Sequence, residues 1–444
     1  MLSALNNPRL HRQVFTLAIP MVLSNITVPL LGLVDAAVIG HLEHAWYLGG
    51  VAVGGTMISV TFWLLGFLRM ATTGLSAQAY GSGEKQALAA VFVQGAALAL
   101  GLALFLIALH RPLADVVFQF SSASDEVKFY AREYFSIRIW SAPAALLNLV
   151  VMGWLLGCQN ARRPMLLLIC VNLVNIILDV FFVLGLGWKV QGAAAASVIA
   201  DYSGSVLGLW FVRGLWCENL LPVVSDWVNT IREGIGRLLR LNRDIFLRSL
   251  CLQVVFTFMT FRGATLGDNV VAANAVLMSF LMLVSYGMDG FAYAMEALVG
   301  KAIGAKNREE LAGALVTTTF WSLVISLVMT GVFFGFGKPI ISLISDIETV
   351  RATAAVYLPW LALMPLVAMW CFLLDGIFIG ATKGREMRNT MLVAMLGFFS
   401  IWYLLSGFGN HALWAAMLSF MALRGIALAA VLWHQWRKGI FLNF

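Results

Sequence analysis

Hydrophobic residues make up 61% of this 444-residue chain and charged residues only 11%, whereas ordinary soluble domains are roughly 45 to 50% apolar and about 25% charged. So much apolar surface excludes a soluble protein, which could not hide it from water. The formal charge of +7 does not point to nucleic acid, because Lys and Arg lie between apolar runs and form no single basic face.

In chain order the apolar runs cover residues 14–39, 50–79, 87–109, 131–157, 164–187, 191–215, 244–264, 273–303, 310–336, 353–381, 389–407 and 411–433. By the usual window of roughly 20 residues each reads as a membrane span. The prediction is an all-α integral membrane protein of about twelve transmembrane helices. The first run is too long for the apolar region of a signal peptide and no small-residue cleavage site follows, so it reads as a retained span. Cys158, Cys170, Cys217, Cys251 and Cys371 are scattered and lack CxxC spacing, which argues against a disulfide framework and a zinc site. The six histidines are equally dispersed, and His41, His44 and His411 read as outer-loop or interface residues.

One set of segments holds Arg9, Arg12, Lys85, Arg162, Arg163, the Arg213 to Arg248 connector, Lys301, Lys306, Arg308, Lys383, Arg385, Arg388, Arg437 and Lys438; the opposite loops HLEHAWYLGG, LGDN and GFGNH hold no Lys or Arg. The positive-inside rule therefore puts both termini in the cytoplasm. Arg111, Lys128 and Arg132 are exceptions, in an outer segment that also holds Asp115, Asp125, Glu126 and Glu133.

The two halves repeat each other at an offset of about half the chain. AQAYGSGEKQAL from Ala77 matches GKAIGAKNREEL from Gly300, with Gly81 opposite Gly304. AREYF before Pro143 matches AAVYL before Pro365, with Tyr134 opposite Tyr357, and GCQNARR from Gly157 matches GATKGRE from Gly380. An even number of spans per half gives parallel repeats about an axis along the membrane normal. The expected organisation is an N-terminal six-helix lobe at 1–216, a connector at 217–243 and a C-terminal six-helix lobe at 244–444, with a central cleft. In the connector, Trp227, Val228, Ile231, Ile235, Leu238 and Leu239 share a helical face beside Arg232, Arg237 and Arg240, which suits an interfacial amphipathic helix. A plain solvated linker is the alternative.

Acidic residues interrupt the apolar runs: Asp35, Asp179 and Asp201 in the first half, Asp289, Glu296 and Asp375 in the second. An Asp at the centre of a membrane helix costs on the order of 2.5 to 3.5 kcal/mol, so such residues mark ion paths, binding cavities or buried pairs. Asn172, Asn175 and Asp179 are spaced three and four apart on one helical stripe, and Ser197 and Asp201 four apart on the next. With Asp35 they offer carboxylate, amide and hydroxyl oxygens; a proton needs only the carboxylates, while sodium accepts them all. The competing reading makes Asp35 and Asp179, and Asp201 above all, members of a buried pair with Arg69, whose face also carries Thr72, Thr73 and Ser76. Close carboxylates would titrate as a coupled group. Pro20 and Pro29 flank the middle of the first span and serve as a hinge or a fixed kink.

In the second half Tyr286, Asp289, Tyr293 and Glu296 follow steps of three, four and three, one face that would attract lipophilic cations through rings and charge. Met278, Met282, Met288 and Met295 add adaptable contact, and Asp375 could join. The alternative is helix packing, with Asp289 or Glu296 paired to Arg262 or Arg424.

The repeat, the first span AIPMVLSNITVPLLGLVDAAVIG, the fifth NLVNIILDVFFVLGLG and the glycine motifs closing the second and eighth spans resemble the MATE (multidrug and toxic compound extrusion) transporters, nearest their DinF-like branch. The resemblance covers essentially the whole chain. It implies a secondary antiporter of the bacterial inner membrane, not an enzyme, exporting amphiphilic, commonly cationic, organic compounds in exchange for protons, with sodium as the other candidate ion. It implies no organic cofactor and no nucleic acid; the partners are small organic substrates and membrane lipids, and the protein is expected to be monomeric. It carries cation binding onto Asp35, Asn175, Asp179 and Ser197, with Asp201 an extra carboxylate. The NorM-like branch uses an acid of the seventh span, but FLRSLCLQVVFTFMTF has none here, which moves the coupling site to the first lobe. The alternative function is a lipid-linked precursor flippase of the same superfamily, which would need a strongly cationic cavity.

Overall fold

The computed structural model describes residues 6–216, 220–439 and 441. Among them the regular structure is helical throughout, with no strand. Lipid dictates this, because each backbone N–H and C=O there must be satisfied within its own segment. Of the described helices, 11 are long and apolar enough to cross a membrane. One further helix, Gly384–Leu404, has 21 residues, about 31 Å at 1.5 Å per residue. Arg385, Glu386 and Arg388 in its first turns lower its hydropathy, and it completes the expected twelve.

The chain divides into two compact units, one running from Leu23 to Leu239, the other from Arg240 onward together with the residues up to Val22. The first lobe was expected to begin at residue 1. Instead the front half of the Pro8–Gly40 helix packs in the second unit, because Gly290 offers a seat without a side chain. A Cβ at Gly290 would stand 2.3 Å from Val22 Cγ2 and 2.9 Å from the Ala18 carbonyl oxygen. Further along, Phe15 packs edge-on against Trp321 at 4.5 Å between rings, and the Trp321 indole N–H donates to His11 Nδ1 at 2.8 Å.

The connector also differs from expectation. Residues 217–219 lie outside the described residues; Leu220–Ser225 is a short helix, and Trp227–Ala264 is a single helix of 38 residues that runs straight into the seventh span. Trp227, Val228 and Leu239 are exposed and Leu238 is buried. Gln94 holds the segment, its Nε2 donating to the Thr230 carbonyl at 2.8 Å. Gly234 makes room, since a Cβ there would meet the Gln94 amide at 2.0 Å.

The repeat is written in the backbone. Ala77 and Gly300 are 223 residues apart in sequence, and the same offset relates Gly83 (φ 74°) to Lys306 (φ 53°) and Gln159 (φ 63°) to Thr382 (φ 55°). The helices before the latter two close alike: Asn160 N–H donates to the Leu155 carbonyl at 3.0 Å and Lys383 N–H to the Phe378 carbonyl at 2.8 Å, the six-to-one bond of a left-handed helix cap. Helix crossings repeat too. A Cβ on Gly153 would lie 2.4 Å from the Arg69 carbonyl oxygen, and one on Gly376 2.7 Å from that of Ala292.

Candidate functional site

In the Leu23–Leu239 unit, Asp179 closes the Arg162–Asp179 helix and the chain continues at once as a π-helical turn, Val180–Gly185. Such turns recur at functional sites because the wider coil re-aims side chains. The Asp179 carboxyl is 1% exposed and lies within hydrogen-bonding reach of the half-buried Asp35. Both Asp179 oxygens, Asp35 Oδ1 and Asn175 Oδ1 are buried with no donor. Asn175 is oriented by its other end, Nδ2 donating to Ser197 Oγ at 2.7 Å. Asn172 Nδ2 donates to Thr27 Oγ1 at 2.6 Å, whose hydroxyl donates to the Ser24 carbonyl at 2.6 Å. A polar stripe therefore runs away from the carboxyl pair. On the other side one helical turn brings apolar residues, with Val38, Ile39, Val183 and Tyr134 in a buried cluster with Tyr47 and Val190. Lys189 Nζ fastens this cap by donating to Tyr47 Oη at 3.0 Å.

The structure gathers Asp35, Asn175, Asp179 and Ser197, and it sets Asp201 apart. Arg138 Nη1 donates to Asp201 Oδ2 at 2.6 Å, with both side chains largely buried. Arg138 also donates to Ser141 Oγ, and Asn148 Nδ2 donates to the Asp201 backbone carbonyl at 3.0 Å. Arg138 is the cation whose charge reaches Asp35 and Asp179, in the place expected for Arg69. Arg69 lies buried with Nη1 3.5 Å from Thr73 Oγ1. Arg138 was missed because it closes the polar Asp125–Arg138 helix. Its place inside an apolar run was the available signal. Pro20 and Pro29 both sit inside the unbroken Pro8–Gly40 helix.

In the second unit Tyr286, Asp289 and Tyr293 are partly buried and Glu296 is 2% exposed. The expected methionine surface divides, because Met288 and Met295 are core residues while Met282 is exposed. Asp375 does not join that face as a bare anion. Its Oδ2 accepts from Arg248 Nη2 and from Arg424 Nη2, the latter at 2.8 Å. Arg262 lies over the Trp402 ring, 5.4 Å from its centroid. Arg248 was expected among cytoplasmic charges, although it too falls inside an apolar run.

The MatE family profile matches residues 20–181 and 245–404. The chain is 48% identical over 424 residues to DNA damage-inducible protein F of Escherichia coli strain K12, covering 95% of this chain and 92% of that protein. It is 24% identical over 414 residues to the probable multidrug resistance protein NorM of Thermotoga maritima, covering 89% and 84%. A solved outward-facing conformation of a multidrug resistance MATE family transporter shares the fold, with a TM-score of 0.87 at 21% identity over 98% of this chain and 97% of that one. Matched across both repeats and along nearly its whole length, the chain belongs to the MatE family, whose members are membrane transporters and not enzymes.

Proposed function

We propose that this protein is a secondary antiporter of the bacterial inner membrane, with both termini cytoplasmic, that exports amphiphilic, commonly cationic, organic compounds in exchange for protons. The observation that carries the reading is the Asp35–Asp179 pair, facing carboxyls buried with oxygens that no donor satisfies. Two carboxylates at such an approach repel when both are charged, and one proton between them removes the repulsion. Loading and unloading that proton therefore changes the forces between the Pro8–Gly40 and Arg162–Asp179 helices. Asn175 Oδ1 adds a neutral oxygen to the pair, so sodium remains the second candidate ion.

Alternating access would follow from that change. The polar stripe through Asn175 and Asn172 offers hydrogen bonds for a departing proton, and the Val38–Val183–Tyr47 cap closes the opposite direction. A bend at Pro20 or Pro29, where helix hydrogen bonds are missing, is the proposed response. Tyr286, Asp289, Tyr293 and Glu296 are the proposed substrate face. A pyrophosphate-carrying flippase is less well supported, because Arg138, Arg248 and Arg424 are each already held by a carboxylate.

Efflux of a fluorescent cation from proteoliposomes, under a proton gradient, a sodium gradient and neither, tests the proposal. The expected result is proton-driven efflux that Asp35→Asn and Asp179→Asn each abolish in folded protein, since Asn is nearly isosteric but cannot cycle a proton. Retained efflux in both variants would overturn the site, and efflux driven by sodium alone would reverse the ion.

A further inference from the structure

Arg111 and Arg132, which break the positive-inside pattern, meet in one place. They line a cavity of about 460 Å³ in the Leu23–Leu239 unit. His110, Arg111 and Asp115 on the Lys85–Gln119 helix form one wall, and Arg132, Phe135 and Trp140 the other. Arg132 Nη1 is paired with Asp115 Oδ1, and its guanidinium lies 5.2 Å from the Phe118 ring centroid. His110 Nδ1 is committed to the Ile107 carbonyl at 2.5 Å. Arg111 is exposed and has no carboxylate partner among the described residues. With the one carboxylate of the lining taken by Arg132, the cavity holds a single uncompensated guanidinium.

The same helix continues the site into the membrane. Leu104 precedes Arg111 by seven residues and Asp115 by eleven, two and three turns on one face. Leu104 is 66% exposed, and Leu100 and Phe105 beside it are exposed too. Trp140, exposed at the rim, is the residue type that favours the headgroup level. A cationic cavity thus opens directly above an apolar helix face.

We propose that this cavity is the headgroup site of an anionic phospholipid, its phosphodiester gripped by Arg111 and its acyl chains lying along Leu100, Leu104 and Phe105. A guanidinium presents paired donors that match phosphate oxygens. One net positive charge suits a headgroup with one net negative charge. A zwitterionic headgroup gains less, because Asp115, the acceptor for its ammonium, is occupied by Arg132. The site is separate from the transport reading; only its assignment to the outer side rests on the proposed topology.

Native mass spectrometry of the full-length protein in detergent, titrated with phosphatidylglycerol or with phosphatidylethanolamine of the same acyl chains, tests this. The expected result is selective retention of one phosphatidylglycerol, reduced about tenfold by Arg111→Gln and largely kept by Arg111→Lys. Asp115→Asn frees Arg132 and should strengthen retention, a gain that misfolding cannot mimic. Equal retention of the two lipids, or unchanged retention in Arg111→Gln, would overturn the proposal. Displacement of the lipid by millimolar inorganic phosphate would also overturn it, assigning the cavity to a free anion.

Discussion

Asp201 and Arg424 occupy equivalent positions of the two repeats, 223 residues apart, and carry opposite charges. Each is buried in an ion pair within its own unit, Asp201 with Arg138 and Arg424 with Asp375. The partners are not equivalent: Arg138 ends the Asp125–Arg138 helix, whereas Asp375 lies in the last turns of Glu348–Gly380. The repeat has kept a charged crossing between corresponding helices while inverting its sign. In the second unit Arg248 joins the same carboxylate, so two guanidiniums there share one acid.

Removing one member of a buried pair strands the other charge in low dielectric, at a cost of about 3 to 5 kcal/mol. Arg138→Gln and Asp201→Asn should each lower the thermal unfolding temperature in detergent, and the double variant should be less damaged than the sum of the singles. Full stability with loss of transport in Asp201→Asn would instead return Asp201 to the coupling set.

Asp375 and Asp289 should separate by phenotype. Asp375→Asn leaves Arg248 and Arg424 without their shared carboxylate and should mainly destabilise the protein. Asp289→Asn, at a half-buried position on the aromatic face, should weaken binding of a fluorescent cation and cost less stability than Asp375→Asn. Equal binding by wild type and Asp289→Asn would assign the Tyr286–Tyr293 face to packing.

Glycine at the repeated crossings is a steric requirement. A Cβ at Gly380 would lie 2.6 Å from the Glu296 carbonyl oxygen and one at Gly376 2.7 Å from that of Ala292, and backbone cannot step aside as a side chain can. Gly376→Ala and Gly380→Ala should each cost about 1 to 3 kcal/mol. Gly101→Ala, where nothing lies within 4 Å, should be neutral or mildly stabilising by helix propensity.

Cysteine labelling in a cysteine-free background should find Glu233 and Lys306 accessible from the cytoplasm, and Glu43 and Phe408 from outside. Phe408 is the better outer probe than its neighbour Asn410, which is buried in a reciprocal pair with Asn274, both bonds 2.8 Å. The opposite pattern of access would invert the orientation and the direction of transport.

Much of this was legible in the residues. Length and hydropathy marked the helices, and the matched glycine segments marked the repeat whose caps and crossings the structure reproduces. Helical spacing brought Asn172, Asn175 and Asp179 onto one stripe, and the membrane cost of a carboxylate singled out Asp35. What spacing cannot encode is which distant charge fills a partner's place. Arg138, Arg248 and Arg424 each lie on a different helix from the acid they bind, so the residues alone offered Asp201 the wrong arginine, Arg69, and Asp375 none. The boundary at Val22 was hidden for a similar reason: the hydropathy of the first span is continuous, and only the seat at Gly290 reveals which unit its front half joins.

The two units exchange chain at just two points, between Val22 and Leu23 and between Leu239 and Arg240, and both fall inside helices, Pro8–Gly40 and Trp227–Ala264. The covalent links between the units are therefore continuous helices in place of slack loops. Each has a weak point within a turn of its crossing: Pro20, which lacks an amide hydrogen, and Gly236, whose missing side chain faces open space. Asp35 rides on the first of these helices, 15 residues beyond Pro20, about 22 Å along the helix. Under the proposed coupling role of Asp35, a change of force at its carboxylate would therefore act on the same continuous helix that joins the two units, with Pro29 and Pro20 as the two places along it where a backbone donor is missing.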